Sequence, residues 1–387
     1  MSDDVRVGVI GYGNMGTGVA GMFANQVNGA TVAAVCDLDP GRIKAAQEKF
    51  GDDVQYFDNA DAMIEAGGLD AIYIATPHYD HPPLAIKGFE NNLHVLVEKP
   101  AGVYTRQVRE MNEVAARSDR VFGLMFNQRT RPDHQKFRDL VESGELGTIQ
   151  RTNWIITTWF RSQAYYDSGG WRASWRGEGG GVLLNQCPHN LDLWQWIAGM
   201  PSRIRAFCAF GKYHDIEVED EVTAYAEYEN GATGLFITTT GEAPGTNRFE
   251  VVGDRGKVVM EGGKLTFWRT RVPVAEFCKT TQTSFGTPET WECSIPTPGS
   301  GREHVGICQN WTDAIRNGTE LLAPGEEGIR GLQISNAMLL SAWQDAWVDI
   351  PVDEDAFKTE LDKRIQSSRY EKKTVKKGAE DLSDSFA

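Results

Sequence analysis

At 387 residues the chain is more than twice the length of a ~150-residue domain, which implies at least two domains. Hydrophobic residues make up 41% and charged residues 24%, the balance of a globular protein and not of a disordered one. The 39 Lys and Arg against 54 Asp and Glu leave a net charge of −15, which repels phosphate backbones and anionic lipids and so argues against nucleic acid or membrane partners.

The first predicted element is the strand Val5–Ile10, preceded only by Met1-Ser2-Asp3-Asp4. That start lacks the basic residues and separate hydrophobic stretch of a secretory signal, and no apolar run approaches the ~20 residues of a membrane span, so a cytoplasmic protein is expected. Directly after the strand comes Gly11-Tyr12-Gly13-Asn14-Met15-Gly16, a G-x-G-x-x-G sequence that opens a helix carrying Val19, Ala20 and Phe23. Strand, glycine turn and helix in that order are the context in which the pattern binds a dinucleotide. Gly11 permits the tight turn, Gly13 lets backbone approach the pyrophosphate, Gly16 allows close packing, and the helix N-terminus attracts the phosphates.

The next strand, Thr31–Cys36, ends in Asp37, placed to bind both hydroxyls of the adenosine ribose. A carboxylate there repels a 2′-phosphate and favours NAD over NADP, although Arg42, one turn into the following helix, is able to neutralise such a phosphate. The competing reading of Asp37 is a helix N-cap. Helical stretches Gly41–Phe50, Pro83–Asn91 and Thr105–Ala116 alternate with apolar runs Ala71–Ala75, Val95–Val97 and Val121–Phe126. This is the pattern of parallel βαβ units in a doubly wound sheet. Ligands of such sheets bind beyond the carboxyl ends of the strands. Thr76-Pro77, with His81 beyond, and Glu98-Lys99-Pro100 lie at such ends, which makes Lys99 a candidate functional lysine. Asn127 and Arg129 end the last strand of this half as candidate cofactor or substrate contacts.

After Asn127 a polar helix, Asp133–Ser143, leads to a series of longer strands: Arg151–Phe160, Arg203–Phe210, Val222–Tyr228, Thr233–Thr239, Phe249–Val252, Lys257–Glu261 and Leu265–Arg269. Glu229-Asn230-Gly231 is a hairpin signal, and the short connections predict a large, mostly antiparallel open sheet. Helices are expected at Glu303–Arg316 and Ile329–Trp347, and a fraying polar segment from Tyr370. The expected domains are therefore 1–128, 129–370 for substrate binding and oligomerisation, and a tail 371–387. The six cysteines are scattered without a C-x-x-C pair or clustered histidine, so reduced thiols and no metal site are expected.

Six of the eleven tryptophans fall between 154 and 196. Trp194 and Trp196 lie in an amphipathic helix and read as core, whereas Trp171-Arg172 and Trp175-Arg176 flank a glycine-rich loop within reach of a ligand. Aromatic faces pack on sugar C–H groups, and either arginine is able to read an anionic substituent, though each is as readily an ordinary surface residue. Tyr165 and Tyr166 precede this loop as possible proton donors.

Taken together, Gly11-x-Gly13-x-x-Gly16, Thr76-Pro77-x-x-x-His81, Glu98-Lys99-Pro100 and Gly179-Gly180-Gly181-x-x-x-Asn185-x-x-x-His189-x-x-Asp192 resemble the Gfo/Idh/MocA oxidoreductase family. The resemblance implies a Rossmann domain followed by an α/β domain whose sheet often pairs into dimers or tetramers. It implies NAD(P)-linked oxidation of a sugar, sugar derivative or cyclitol, with Lys99 and His189 touching the reacting oxygen. The family's usual aspartate, thought to orient the histidine, is Asn185 here. A neutral amide cannot stabilise an imidazolium as an ion does, which shifts proton transfer towards Lys99. Asp192, three residues past His189, either supplies the missing charge or complements the helix dipole. The leading expectation is a dehydrogenase. An oxidoreductive glycosidase, which oxidises transiently and eliminates the aglycone, is the alternative, and a non-enzymatic NAD-linked regulator is a distant third.

Overall fold

A computed structural model describes residues 4–368; the expected tail 371–387 lies outside the described residues. The first half alternates β1 (Val5–Ile10), α1 (Asn14–Asn25), β2 (Ala30–Cys36), α2 (Pro40–Phe50), β3 (Gln55–Phe57) and α3 (Ala60–Ala66). It continues with β4 (Ala71–Ile74), α4 (His81–Glu90), β5 (His94–Val97), α5 (Thr105–Ala115) and β6 (Phe122–Leu124). These six strands form one parallel sheet in the order β3-β2-β1-β4-β5-β6. Parallel strands joined by crossover helices are covered on both faces, and β4, Ala-Ile-Tyr-Ile, is accordingly buried at every position. β3 has no apolar run to announce it, because it is a three-residue edge strand with no fully buried position. The chain leaves β1 towards β2 on one side and continues from β4 on the other, which opens a crevice at their carboxyl ends.

The second half begins with α6 (Pro132–Glu142), β7 (Ile149–Ile156), α7 (Gln163–Asp167), α8 (Pro188–Ala198), β8 (Arg203–Phe210), β9 (Glu219–Glu227) and β10 (Thr233–Thr239). Then come β11 (Asn247–Gly253), β12 (Gly256–Glu261), β13 (Lys264–Thr270), α9 (Val274–Thr280), β14 (Thr290–Ile295), α10 (Glu303–Asn317), α11 (Gly328–Gln344), β15 (Val348–Asp349) and α12 (Glu354–Ser367). Nine strands make an open sheet in the order β14-β13-β12-β11-β7-β10-β9-β8-β15. β7 and β10 run parallel, and the other neighbouring pairs are antiparallel. The expected hairpin is present: β9 and β10 pair from Glu227 opposite Thr233, and Gly231 takes φ +82° in the turn. β7 ends four residues before the expected Phe160.

Alternation along β9 buries Val222, Ala224 and Ala226 and leaves Thr223 and Tyr225 on the outer face. On the inner face Trp154 stacks on Phe249 with ring centres 4.3 Å apart, and Trp194 on Phe236 at 5.3 Å. α11 is buried along most of its length and packs against β8, α8 and α5, so it lies between the two sheets. Asn336 on α11 accepts from Thr105 N and donates to the Val103 carbonyl, both at 3.1 Å, which ties the helix to the start of α5.

A buried ion network joins the same layers. Arg129, 1% exposed, donates Nε and Nη2 to Asp192 at 2.8 and 2.6 Å, and Nη1 to Glu327 at 2.6 Å. Asp192 receives a further hydrogen bond from Gln195. Removing Asp192 leaves the buried Arg129 with Glu327 as its remaining carboxylate partner and two of its bonded N–H groups unmet. Asp192→Ala is therefore expected to cost about 3–5 kcal/mol, read as a lower urea midpoint. A loss below about 1 kcal/mol, the scale of exposed pairs, would show that the network is not a structural tie.

Candidate active site

The crevice is shaped first by glycine. Gly11 takes φ +90°, and a Cβ there would lie 2.6 Å from the Ala75 carbonyl oxygen. A Cβ on Gly16 would lie 1.8 Å from the Gly11 oxygen, so α1 seats on the turn only without a side chain. Gly13 is the N-cap of α1, and no side chain accepts from the first turn, which leaves its N–H groups for an anion. Asn14 is exposed there and Met15 half-buried. Asp37 is buried and folds its carboxylate around this turn. Oδ2 accepts from Tyr12 N at 2.7 Å and from Arg42 Nη1 at 3.2 Å, and Oδ1 accepts from Asp39 N at 2.9 Å. Two buried hydroxyls, Tyr12 Oη and Thr76 Oγ1, have no hydrogen-bond partner among the described residues. An open helix N-terminus, a buried carboxylate and unspent hydroxyls fit a dinucleotide.

The ends of β4 and β5 are strapped together by His81, the first residue of α4, reached through the segment begun by Thr76-Pro77. Its Nδ1 lies 2.8 Å from the Pro100 carbonyl and its Nε2 2.8 Å from the Thr76 carbonyl. Both ring nitrogens are thus engaged by backbone. Burial lowers the pKa of this ring despite the two carbonyls, which favour its charged form. Glu98 is also buried; it accepts from Tyr73 Oη at 2.6 Å and from Lys99 N at 3.2 Å, and burial raises its pKa. The Lys99–Pro100 peptide is cis.

Lys99 Nζ crosses to the second half of the chain and donates to the Asn185 carbonyl at 2.8 Å. Burial lowers the lysine pKa; Glu98 and Glu178 oppose that shift, while Arg172 and Arg161 reinforce it. His189, the second residue of α8, is buried edge-on to Phe126, ring centres 6.3 Å apart, and its Nδ1 has no partner among the described residues. Burial, with the charge of Lys99 next, holds its pKa well below the ordinary histidine value. Such an imidazole is neutral near pH 7.

Around this pair Asn185 accepts on Oδ1 from Tyr165 Oη and Gln186 Nε2, both at 3.2 Å, and donates Nδ2 to Glu178. Tyr165 Oη in turn accepts from Arg172 at 2.6 Å and from Gln186 at 3.1 Å. The Arg172 guanidinium also lies over the rings of Tyr165 and Trp171, at 4.6 and 4.7 Å, and Trp171 meets His78 edge-on at 5.1 Å. Tyr166, Trp175 and Arg176 make none of these contacts. Tyr166 Oη pairs with Thr240, the Trp175 ring packs between Phe210 and Trp343, and Arg176 is exposed. Asp192 and Arg129 are spent on each other, and Asn127 donates to Glu303 at 2.7 Å. Sequence reasoning passed over Glu178, Gln186, His78 and His304. The imidazoles of His78 and His304 are lowered chiefly by burial and also by Lys99, His304 to about 4. Only their place inside quoted motifs marks Gln186 and His78, and nothing marks Glu178 or His304. Among the described residues no group of three His, Cys, Asp or Glu side chains is placed to hold a metal ion, and no helix is long and apolar enough to cross a membrane.

Residues 5–126 match a family model described as an oxidoreductase family with an NAD-binding Rossmann fold, and residues 134–259 match the GFO/IDH/MocA C-terminal domain. D-glucoside 3-dehydrogenase of Escherichia coli is 30% identical over 62% of this chain and 71% of its own length. The chain belongs to the Gfo/Idh/MocA oxidoreductase family. An inositol 2-dehydrogenase of Corynebacterium glutamicum is 33% identical over 51% of this chain and 56% of its own length. Among solved structures, the WlbA dehydrogenase of Chromobacterium violaceum, in complex with NADH and UDP-GlcNAcA, superposes with a TM-score of 0.78 at 26% identity, covering 91% of this chain and 98% of that one. Levoglucosan dehydrogenase with NADH and levoglucosan shares the fold, with a TM-score of 0.73 at 21% identity, covering 90% of this chain and 100% of that one.

This member of the family thus carries an NAD-binding Rossmann domain and a mostly antiparallel second sheet. The Gly16 seat gives a direct test of the first. Gly16→Ala forces the turn and α1 apart at a cost of about 1–3 kcal/mol, so NADH affinity, read by fluorescence titration, is expected to fall about tenfold or more. Unchanged affinity would mean that the turn relaxes freely.

Proposed function

We propose that this protein is an NAD-dependent dehydrogenase that oxidises a secondary hydroxyl of a sugar, sugar derivative or cyclitol, with Lys99 and His189 handling the proton. The observation that carries this reading is the cluster, half-buried at Lys99 and Asn185 and buried at His189, that unites the lysine at the end of a Rossmann strand with two residues from the second half of the chain. The names of the relatives support a carbohydrate or cyclitol substrate, glycosides included.

The turn Gly11–Gly16 and the first N–H groups of α1 would hold the pyrophosphate, and Asp37 the adenosine ribose. NAD, when bound, supplies the acceptor for the hydride of the oxidised carbon. His189, neutral at working pH, takes the hydroxyl proton, and general-base help of this kind is worth about 10²–10⁴-fold. The Lys99 ammonium faces the same oxygen and stabilises its growing negative charge, an effect strengthened by exclusion of water. Trp171, Arg172 and Tyr165 form a wall suited to the C–H face and hydroxyls of a ring. The buried Asp37 carboxylate disfavours a 2′-phosphate, and half-exposed Arg42 gives its Nη1 to that carboxylate.

Protonation sets the pH profile. Falling pH charges His189 and removes the base; rising pH neutralises Lys99 and removes the ammonium. Both pKa values are lowered, so kcat/KM is expected to be bell-shaped, with its acid limb below 6.5 and its alkaline limb below 10.5. An acid limb above 6.5 would remove His189 as the base. Asp37→Ala is expected to erode the preference for NAD over NADP about tenfold or more, the worth of a hydrogen bond to a charged group. An unchanged preference would remove the ribose assignment.

The central test mixes the protein and NAD⁺ with free sugars, cyclitols, and methyl and nitrophenyl glycosides, recording NADH and nitrophenol together. NADH without nitrophenol is expected. Lys99→Met and His189→Ala should each lower kcat/KM by about 10²–10⁴-fold while NADH affinity persists. Near-normal turnover in both variants would overturn the assignment. Nitrophenol release that requires NAD⁺ but leaves no net NADH would replace it with an oxidoreductive glycosidase.

A further inference from the structure

One carboxylate of the cluster belongs to none of the motifs. Glu178 precedes the triple glycine, is 2% exposed, and accepts on Oε2 from Ala173 N at 2.6 Å and on Oε1 from Asn185 Nδ2. The amide of Asn185 is thereby fixed in one orientation. With Nδ2 given to Glu178, its Oδ1 turns to Tyr165 and Gln186, and its backbone carbonyl stands 2.8 Å from Lys99 Nζ. An aspartate at 185 would set two carboxylates at hydrogen-bond distance, and one of them would take up a proton. An asparagine hydrogen-bonds Glu178 without that conflict; the other carboxylate near Glu178 is Glu219, which burial, and in smaller part Glu178 itself, pushes up to about 7.

We propose that Glu178 is a positioning residue of the proton-transfer site. Acting through Asn185, it holds the carbonyl that receives Lys99 and supplies the negative charge that keeps this lysine an ammonium. The inference rests on the assignment of Lys99 to proton transfer.

The charge balance shows why one carboxylate matters. Lys99 is faced by Glu98 and Glu178 on the acidic side, and by Arg161 and Arg172 on the basic side. The imidazoles of His78, His189 and His304 and the thiol of Cys187 also feel it, each pushed by burial towards its neutral form, as does His81, where two backbone carbonyls oppose burial and favour the charged ring. Burial and two guanidinium groups push the lysine towards its neutral form, against two carboxylates. Glu98 lies beside it in sequence; Glu178 reaches it only through the loop that Asn185 closes.

The test needs no substrate. Competitive acetylation of the full-length protein with acetic anhydride across a pH series, read at Lys99 by mass spectrometry, gives the midpoint at which this amine loses its proton. In Glu178→Gln the midpoint is expected to fall by about one pH unit, the effect of losing an opposite charge at close range. In Glu178→Gln/Asn185→Asp, which moves the charge to the neighbouring side chain, it should return most of the way. The alkaline limb of kcat/KM should move with it, while NADH affinity stays unchanged.

An unchanged midpoint in Glu178→Gln overturns the proposal. A fall that the double exchange does not reverse overturns the route through residue 185. Should Glu178→Gln fail to fold, the double exchange decides. Recovery of a folded protein with the original midpoint supports the proposal, and an unfolded protein or a lowered midpoint overturns it. Failure of the underlying assignment looks different: Lys99→Met would turn over normally, whatever the acetylation midpoints show.

Discussion

The hydrogen bond from Lys99 Nζ to the Asn185 carbonyl joins the end of β5 to the loop in front of α8, and it sets the conditions for everything around it. Withdrawing an ammonium from water costs several kcal/mol even after relaxation, and it is tolerated only with good hydrogen bonds and opposite charge. Glu98 and Glu178 provide the charge, and a backbone carbonyl provides the acceptor. The imidazoles around it respond to the same burial by giving up their protons. The cluster therefore sets Lys99 and two guanidinium groups against two carboxylates, beside imidazoles that burial pushes towards their neutral forms, a sorting that suits the proposed proton transfer.

Such a sorting survives only on a rigid frame. His81 pins the loops after β4 and β5 to each other through two carbonyls, so the lysine leaves from a fixed point. On the other side, Arg129 ties the turn after β6 to α8 and to the segment before α11, so the helix that bears His189 cannot drift from the Rossmann half. Both ring nitrogens of His81 face backbone carbonyls, and Arg129 spends four of its five N–H groups on Asp192, Glu327 and the Leu322 carbonyl. In the proposed mechanism their contribution is to hold Lys99 and His189 in register, which matters because small displacements of reacting groups carry large rate penalties.

Much of this was legible in the residues. Buried parallel strands are continuous apolar runs, so β1, β2, β4, β5 and β6 declare themselves, whereas the short edge strand β3 does not. The glycine turn reads correctly because its demands are local: a positive φ at Gly11 and a contact at Gly16 that admits no side chain. The second half is harder because its side chains act across loops. Tyr165 and Tyr166 are adjacent on one helical turn and point about 100° apart, so only one of them reaches Asn185. Asp192 has the spacing to share a face with His189, yet Arg129 arrives from a distant segment and takes both of its oxygens. Glu178 lies in irregular backbone, where no period marks which way a side chain points. Its partner seven residues on is visible only once the loop is closed.

The sheet of the second half contains one parallel pair, β7 beside β10, at its centre. The chain between them, residues 157–232, carries α7, the glycine-rich loop, α8, β8 and β9 before it returns. Tyr165, Arg172, Glu178, Asn185 and His189 all belong to that excursion. Pairing β7 with β10 closes a long loop, whose entropy is lost before the contact repays it. Half of the proposed site is therefore assembled in the same event that completes the middle of the sheet. Folding of the scaffold and closure of the proposed catalytic loop are thereby coupled.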